Sequence, residues 1–172
     1  MATLKQIRQR IKTAKNIRQI TRAMKLVAAA RLTKAKNRTE EARPYSEKMR
    51  EFVSSVGGGG DLPENALLAR RPVKKTCLIL MTAERGLCGS FNSSVIRKSA
   101  EFLATIEGEK CLVGVGRKGA QFFSKRGFDV VHRVTLPTAG PRLSDAVELT
   151  DHVSGMFVRG EVDAVHVLYS KF

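Results

Sequence analysis

The sequence predicts an α/β fold in two parts, a long N-terminal coiled-coil helix followed by a parallel α/β domain. Three observations predict it. Residues 1–56 contain no glycine and are rich in Lys, Arg, Gln, Ala, Leu and Met, all good helix formers. Apolar residues in that stretch recur at steps of three and four, the spacing of one helix face. Beyond Pro72 the pattern changes to short apolar runs alternating with helical stretches, as in a parallel sheet covered by helices.

The helix is expected from Ala2 to about Val56. Thr3 is placed to cap it, with Gln6 three residues later completing a capping box. At ~1.5 Å per residue, such a helix reaches roughly 80 Å. Pro44 is expected to kink or interrupt it near Arg43. Leu4, Ile7, Ile11 and Ala14 step by three, four and three, a coiled-coil seam, and Ile17, Ile20, Met24 and Val27 repeat the spacing. The join from Ala14 through Ile17 to Ile20 is a stammer that overwinds the supercoil. Ala28, Ala29 and Ala30 then allow another backbone to come close or a surface to slide past. A domain of about 100 residues measures only about 30 Å across and cannot cover this stripe, so a partner helix is expected.

Gly57–Gly60, Pro63 and Pro72 mark a linker over residues 57–72. The α/β domain then occupies 73–172. Strands are expected over Thr76–Thr82, Cys111–Val115, Asp129–Val134 and Val162–Tyr169. Helices are expected from Asn92, Ser93 or Ser94 to about Glu107, over Lys118–Lys125 with Gly127 as its stop, and over Ser144–Val158 with a Ser cap and Gly160 at its end. No later helix follows Phe172, so the partner of the first helix is expected on another polypeptide or on a segment missing from this chain.

The 172 residues carry 31 Lys and Arg against 16 acids, a net charge of +15. The imbalance is local. Twelve basic residues precede the first acid, Glu40, leaving 19 basic against 16 acidic in the remainder. The excess therefore describes one surface for one partner. Cys77, Cys88 and Cys111 form no CxxC pair and fit a reducing compartment. His132, His152 and His166 lack ligand spacing, so no metal site is expected. No run approaches the ~20 apolar residues of a membrane span. The acid-free, Arg-rich start resembles a transit peptide, but it lacks Ser before Ser46 and continues into more helix, so it reads as mature structure.

Three motifs invite functional readings. Gly114-Val-Gly-Arg-Lys-Gly119 matches G-x-G-x-x-G between a strand and a helix. It sits on the second strand, however, and the third strand ends in His132-Arg-Val134 without an acid for a ribose, which favours a tight strand-to-helix turn over a nucleotide cradle. Glu84-Arg-Gly-Leu-Cys-Gly-Ser-Phe-Asn92 follows the first strand, where α/β proteins place their sites. Cys88 has no neighbouring His as base and reads as a packed thiol in a Gly turn. No GxxxxGK[ST] loop occurs. The basic helix could bind nucleic acid, but residues 1–44 hold no aromatic for stacking, and the basic residues overlap the apolar seam where a basic zipper separates them.

The opening Ile11-Lys-Thr-Ala-Lys-Asn-Ile-Arg-Gln-Ile-Thr-Arg-Ala-Met-Lys-Leu-Val-Ala-Ala-Ala-Arg31 closely resembles the N-terminal helix of rotary ATP synthase gamma subunits. Arg43-Pro-Tyr45, Glu84 to Asn92 and Val115-Gly-Arg-Lys-Gly119 are similar to the same family in the same order. That family usually has Asp where this chain has Glu84. The resemblance implies a non-catalytic rotor with no cofactor. Its N- and C-terminal helices would form an antiparallel coiled coil inside the ring of alpha and beta subunits. A Rossmann-like domain would sit against the c-ring and the epsilon subunit. It implies that the C-terminal part, including the partner helix, is missing here, that nucleic acid is not a partner, and that the protein lies peripherally on the cytoplasmic face of a bacterial inner membrane, or the matrix or stromal side in an organelle. Partner contacts are expected at Ile7, Ile11, Ala14, Ile17, Ile20, Thr21, Met24, Lys25, Ala28 and Arg31 of the helix, and at Arg85, Leu87 and Cys88 of the loop after the first strand. Basic side chains such as Arg8, Lys25 and Arg31 would attract acidic stator elements without locking to them.

Overall fold

A computed structural model describes residues 3–57 and 66–171, without the side chains of residues 56 and 57. The chain divides into two compact units, Met1–Asp61 and Leu62–Phe172. Among the described residues the first is one helix, α1, Leu4–Gly57, 54 residues long. The expected capping box is present. The Thr3 N–H donates to Gln6 Oε1 at 2.9 Å, and the Gln6 N–H donates to Thr3 Oγ1 at 3.4 Å. The interruption expected at Pro44 does not occur, and α1 runs through it. Proline removes one N–H from the ladder, while good helix formers hold the turns on both sides. The Ser46 hydroxyl also donates to the Arg43 carbonyl at 2.9 Å. Lys36–Glu40 at 3.7 Å and Lys48–Glu51 at 2.7 Å add ion pairs one turn apart.

The second unit begins its described part with a 3₁₀ turn at Ala66–Leu68. Gly58–Gly60 and Pro63 of the expected linker lie outside the described residues. Then follow β1 (Lys75–Met81), α2 (Phe91–Thr105), β2 (Glu109–Val115), α3 (Arg117–Ser124), β3 (Val130–Val134), α4 (Leu143–Val158) and β4 (Ala164–Leu168). The four strands form one sheet in the order β3-β2-β1-β4, and all neighbours are parallel.

Strand alternation divides the core into two. Cys77, Ile79, Cys111 and Val113 face one way and pack with Val153 and Met156 of α4. Leu78, Leu80 and Leu112 face the other way, against Val95, Ile96 and Leu103 of α2 and Phe123 of α3. The sheet is thus sandwiched between helices, which is why its central strands read as unbroken apolar runs. Two helix starts differ from expectation. Ser90, not Asn92, Ser93 or Ser94, precedes α2, because the Asn92 side chain is engaged by the preceding loop. Arg142, not Ser144, precedes α4, and its N–H and guanidinium both bind the Asp145 carboxylate, at 2.8 and 2.9 Å.

Candidate functional site

The sequence-selected residues fall on two surfaces, one on each unit. On α1, Ile7, Ile11, Ile17, Ile20 and Met24 are exposed by 45–61%. Ala14, Thr21, Lys25, Ala28 and Arg31 are exposed as well, as is every described side chain of the helix. Thr21 donates its hydroxyl to the Ile17 carbonyl at 2.7 Å, so its oxygen remains available only as an acceptor.

At about 100° per residue, the two apolar quartets do not share one face. The uncompensated steps of three carry the stripe about 140° around the axis between Leu4–Ala14 and Ile17–Val27. The second face then continues through Tyr45, Met49, Phe52 and Val53, all exposed, a length the sequence reading had not followed. Between Val27 and Tyr45 that face carries the exposed cations Arg31, Lys34 and Arg38, which interrupt the apolar stripe. A single straight rod cannot cover both faces.

The second surface is the loop after β1, at the carboxyl end of a central strand, where open α/β sheets carry their sites. Asn92 organises it. Its Oδ1 accepts the Ala83 N–H at 2.9 Å, and its Nδ2 donates to Cys88 Sγ at 3.0 Å and the Arg85 carbonyl at 3.5 Å. Glu84 Oε1 accepts the Leu136 N–H at 2.8 Å, anchoring the loop to the segment after β3. Leu87 is 95% exposed and has a left-handed backbone, φ 63°. An apolar side chain held outward at that backbone cost has the form of a contact residue. Arg85 is exposed beside it, and Cys88 is half-buried.

The G-x-G-x-x-G segment does other work. A side chain at Gly114 would meet Ala120 Cβ at 2.6 Å, one at Gly116 the Thr82 carbonyl oxygen at 2.0 Å, and one at Gly119 the Leu80 and Thr82 side chains at 2.8 Å. All three glycines therefore let α3 press onto β1 and β2. The amides that would hold a pyrophosphate are occupied. Gly119 N–H donates to Thr82 Oγ1 at 2.9 Å, and Lys118 N–H to the Ala83 carbonyl at 3.2 Å. The segment is a packing turn.

Three arrangements escaped sequence reading because they join distant positions. Arg71, taken for linker, sits with Nε 2.7 Å from Asp163 Oδ1. Its Nη2 donates to the carbonyls of Phe157, at 2.7 Å, and Val162. The N–H groups of Lys75 and Lys74 both donate to Asp163 Oδ2 at 2.9 Å, and with Arg71 they hold that carboxyl below its usual range. His132 and His152 stack at 4.2 Å, and burial followed by the charge of His132 lowers the His152 pKa. Cys77 faces Cys111 across β1 and β2, both buried free thiols. A hydrogen bond with Cys111 and then burial raise the Cys77 thiol far above its ordinary value. Among the described residues, no three His, Cys, Asp or Glu side chains are arranged to hold a metal.

A family model described as ATP synthase matches residues 3–172. The chain is 39% identical over 179 residues to the ATP synthase gamma chain of Chloroherpeton thalassium, covering 100% of this chain and 59% of that one. It is 42% identical over 180 residues to the gamma chain of Chlorobium limicola, covering 100% and 62%. The chain thus spans about three-fifths of the length of these relatives. A cryo-EM structure of the Tetrahymena thermophila mitochondrial ATP synthase central stalk and c-ring superposes with a TM-score of 0.66 at 28% identity, over 89% of this chain and 66% of that chain. With the family model matching almost its entire length, this chain belongs to the ATP synthase family, and the relatives it matches are gamma chains.

Proposed function

We propose that the chain works as the central-stalk rotor of a proton-translocating ATP synthase, coupling rotation of a membrane c-ring to conformational change in an alpha/beta ring. The observation that carries this is the uncovered apolar stripe of α1. Exposed apolar residues repeating over Leu4–Val27 and again over Tyr45–Val53 of a helix of about 80 Å require apolar partners along those segments. The gamma-chain relatives and the central-stalk match supply the setting.

The mechanism is mechanical. A long helix paired with a second one resists bending and twisting, and its asymmetric surface presses on mobile neighbours as it turns. The face through Ile17, Ile20 and Met24 takes the antiparallel C-terminal helix of the family. Thr21 and Lys25, about 100° round the axis from that face, meet acidic levers of the beta subunits, while Arg31 lies within the helix-bearing face. Exposed ion pairs of this kind contribute only ~0–1 kcal/mol each, weak enough to form and break within a cycle. Ala28, Ala29 and Ala30 point in three directions round the axis and make a thin waist that does not catch on the stator. On the second unit Leu87, with Arg85 and Cys88, contacts the epsilon subunit or the c-ring.

ATP chemistry belongs to the ring subunits, and this chain is non-catalytic. It lies peripherally on the cytoplasmic face of a bacterial inner membrane, or the matrix or stromal face in an organelle. Among the described residues no helix is long and apolar enough to cross a membrane. The test is co-purification with alpha and beta subunits, followed by Lys25→Glu. Coupling between proton flow and ATP turnover is expected to fall while the complex remains assembled. Unchanged coupling removes Lys25 from the contact, and failure to co-purify removes the rotor role.

A further inference from the structure

We infer that the groove between α2 and α3 is a docking site for an acidic amphipathic helix of a partner polypeptide. The groove borders the loop after β1, since Asn92 lines it as well. It rests on the rotor proposal only in assuming a multi-subunit assembly.

The two helices cover the same face of the sheet, and each turns one side outward into a shared groove of about 620 Å³. From α2 that side is Ser93, Ile96, Arg97 and Ala100. From α3 and its C-terminal cap it is Lys118, Gln121, Phe122 and Lys125. Both sets follow the spacing i, i+3, i+4, i+7, so each helix presents a two-turn face. Neighbouring helices pack about 8–10 Å apart, and a groove bounded by two such faces is the seat for a third helix.

The chemistry of the lining selects the occupant. Ile96, Ala100 and Phe122 make an apolar floor, and Arg97, Lys118, Lys125 and Arg126 make a cationic rim. No carboxylate lines it. Lys118 and Lys125 form no ion pair among the described residues. Arg126 is already oriented. Its guanidinium lies 3.5 Å from the Phe122 ring centroid, and its Nη1 donates to the Phe122 carbonyl at 3.4 Å. A fixed cation over an aromatic floor is ready for a carboxylate without further ordering. The occupant therefore has apolar residues along one side and Asp or Glu on both flanks. Charge excludes a second copy of α1, which has no acid before Glu40 and would bring like charge to like.

The test is zero-length carbodiimide cross-linking and lysine acetylation of the assembled complex, read by mass spectrometry. Lys118 and Lys125 are expected to acetylate at least fivefold more slowly than Lys98, which is on the other side of α2. They are also expected to cross-link to carboxylates spaced three, four or seven apart in one segment of another subunit. Arg97→Glu together with Arg126→Glu should abolish the links at Lys118 and Lys125, and Lys98→Glu should leave them. Labelling of Lys118 and Lys125 as fast as Lys98 in an assembled complex overturns the inference without touching the rotor role. Protection lost on delipidation, or a link to a second copy, overturns it as well. Should the chain fail to assemble, a synthetic 14-residue Leu/Glu amphipathic helix serves as probe on the chain alone. Cross-links confined to Lys118 and Lys125 support the groove, and cross-links spread over the lysines of α1 refute it.

Discussion

Replacing Gly116 by alanine isolates what the G-x-G-x-x-G segment is for. The new Cβ would stand 2.0 Å from the Thr82 carbonyl oxygen, a backbone atom that cannot rotate away. Gly116 also has φ 86° and ψ 144°, a conformation almost confined to glycine. Forcing another residue into that region costs about 1–3 kcal/mol. Relieving the overlap requires the β1 and β2 ends to separate, at a further ~1–3 kcal/mol of packing loss. The shift also threatens the bond from the Gly116 N–H to the Val134 carbonyl at 3.0 Å, which ties β3 to the sheet. A total loss of at least about 3 kcal/mol is expected, a large share of the stability of a small domain. Gly86→Ala is the control, because nothing lies within 4 Å of its added Cβ and its φ is ordinary, so a change within about 0.5 kcal/mol is expected. The assay is urea unfolding read by pulsed thiol labelling at Cys77 and Cys111, exposed by 0% and 1%, which report on the second unit alone. With a slope of about 1–1.5 kcal/mol per M, the Gly116→Ala midpoint should fall by about 2–3 M. A midpoint within a few tenths of a molar of the parent would refute the packing account of these glycines.

Other outcomes follow from the same structure. Ile17→Gln and Met24→Gln should leave the isolated chain's unfolding unchanged, since both sites are exposed by more than half, yet each should weaken assembly by about 70-fold, from ~100 Å² of apolar area at ~25 cal/mol per Å²; equal assembly measured by pull-down would contradict this. Asp163→Asn should lower the melting temperature at neutral pH. Because the folded carboxyl titrates below its free value, its stabilising contribution is full above about pH 4 and disappears as pH falls through the lower folded pKa, so parent and variant should converge in strong acid; a pH-independent gap would rule this out. In the folded chain maleimide should modify half-buried Cys88 well before Cys77 and Cys111, and simultaneous modification would contradict the buried core.

Legibility in the sequence followed the range of the interaction. α1 was readable because its signals are local: no glycine before Gly57, a 3–4 apolar period, and a Thr3–Gln6 box whose two bonds both form. The central strands were readable because burial on both faces demands unbroken apolar runs such as Thr76–Met81. The helix starts failed where a side chain had a competing partner. Asn92 is taken by Ala83 and Cys88, and Arg142 displaces Ser144 through its bonds to Asp145. Pro44 does not end the helix, because one lost N–H is a small deficit within 54 residues. Pairings set by strand register or chain return, such as Cys77 with Cys111 and Arg71 with Asp163, leave no mark in local spacing. The exposed stripe was legible as a period, but its turn around the axis and its continuation to Val53 emerge only when positions are placed on the helix. The residues chosen for partner contact on α1 and after β1 are exposed or half-exposed, as contact requires, while their individual partners stay proposals.

The central claim is that the apolar face of α1 is covered by another helix in a larger assembly. Its most direct measurement is the maleimide reactivity of Ile17→Cys and Met24→Cys, compared between the isolated chain and the assembled complex and resolved by mass spectrometry. The account predicts fast labelling in the isolated chain, where both sites are exposed by more than half, and at least tenfold slower labelling after assembly. Equal reactivity in the two states would mean that the stripe stays bare in the machine, and would contradict it.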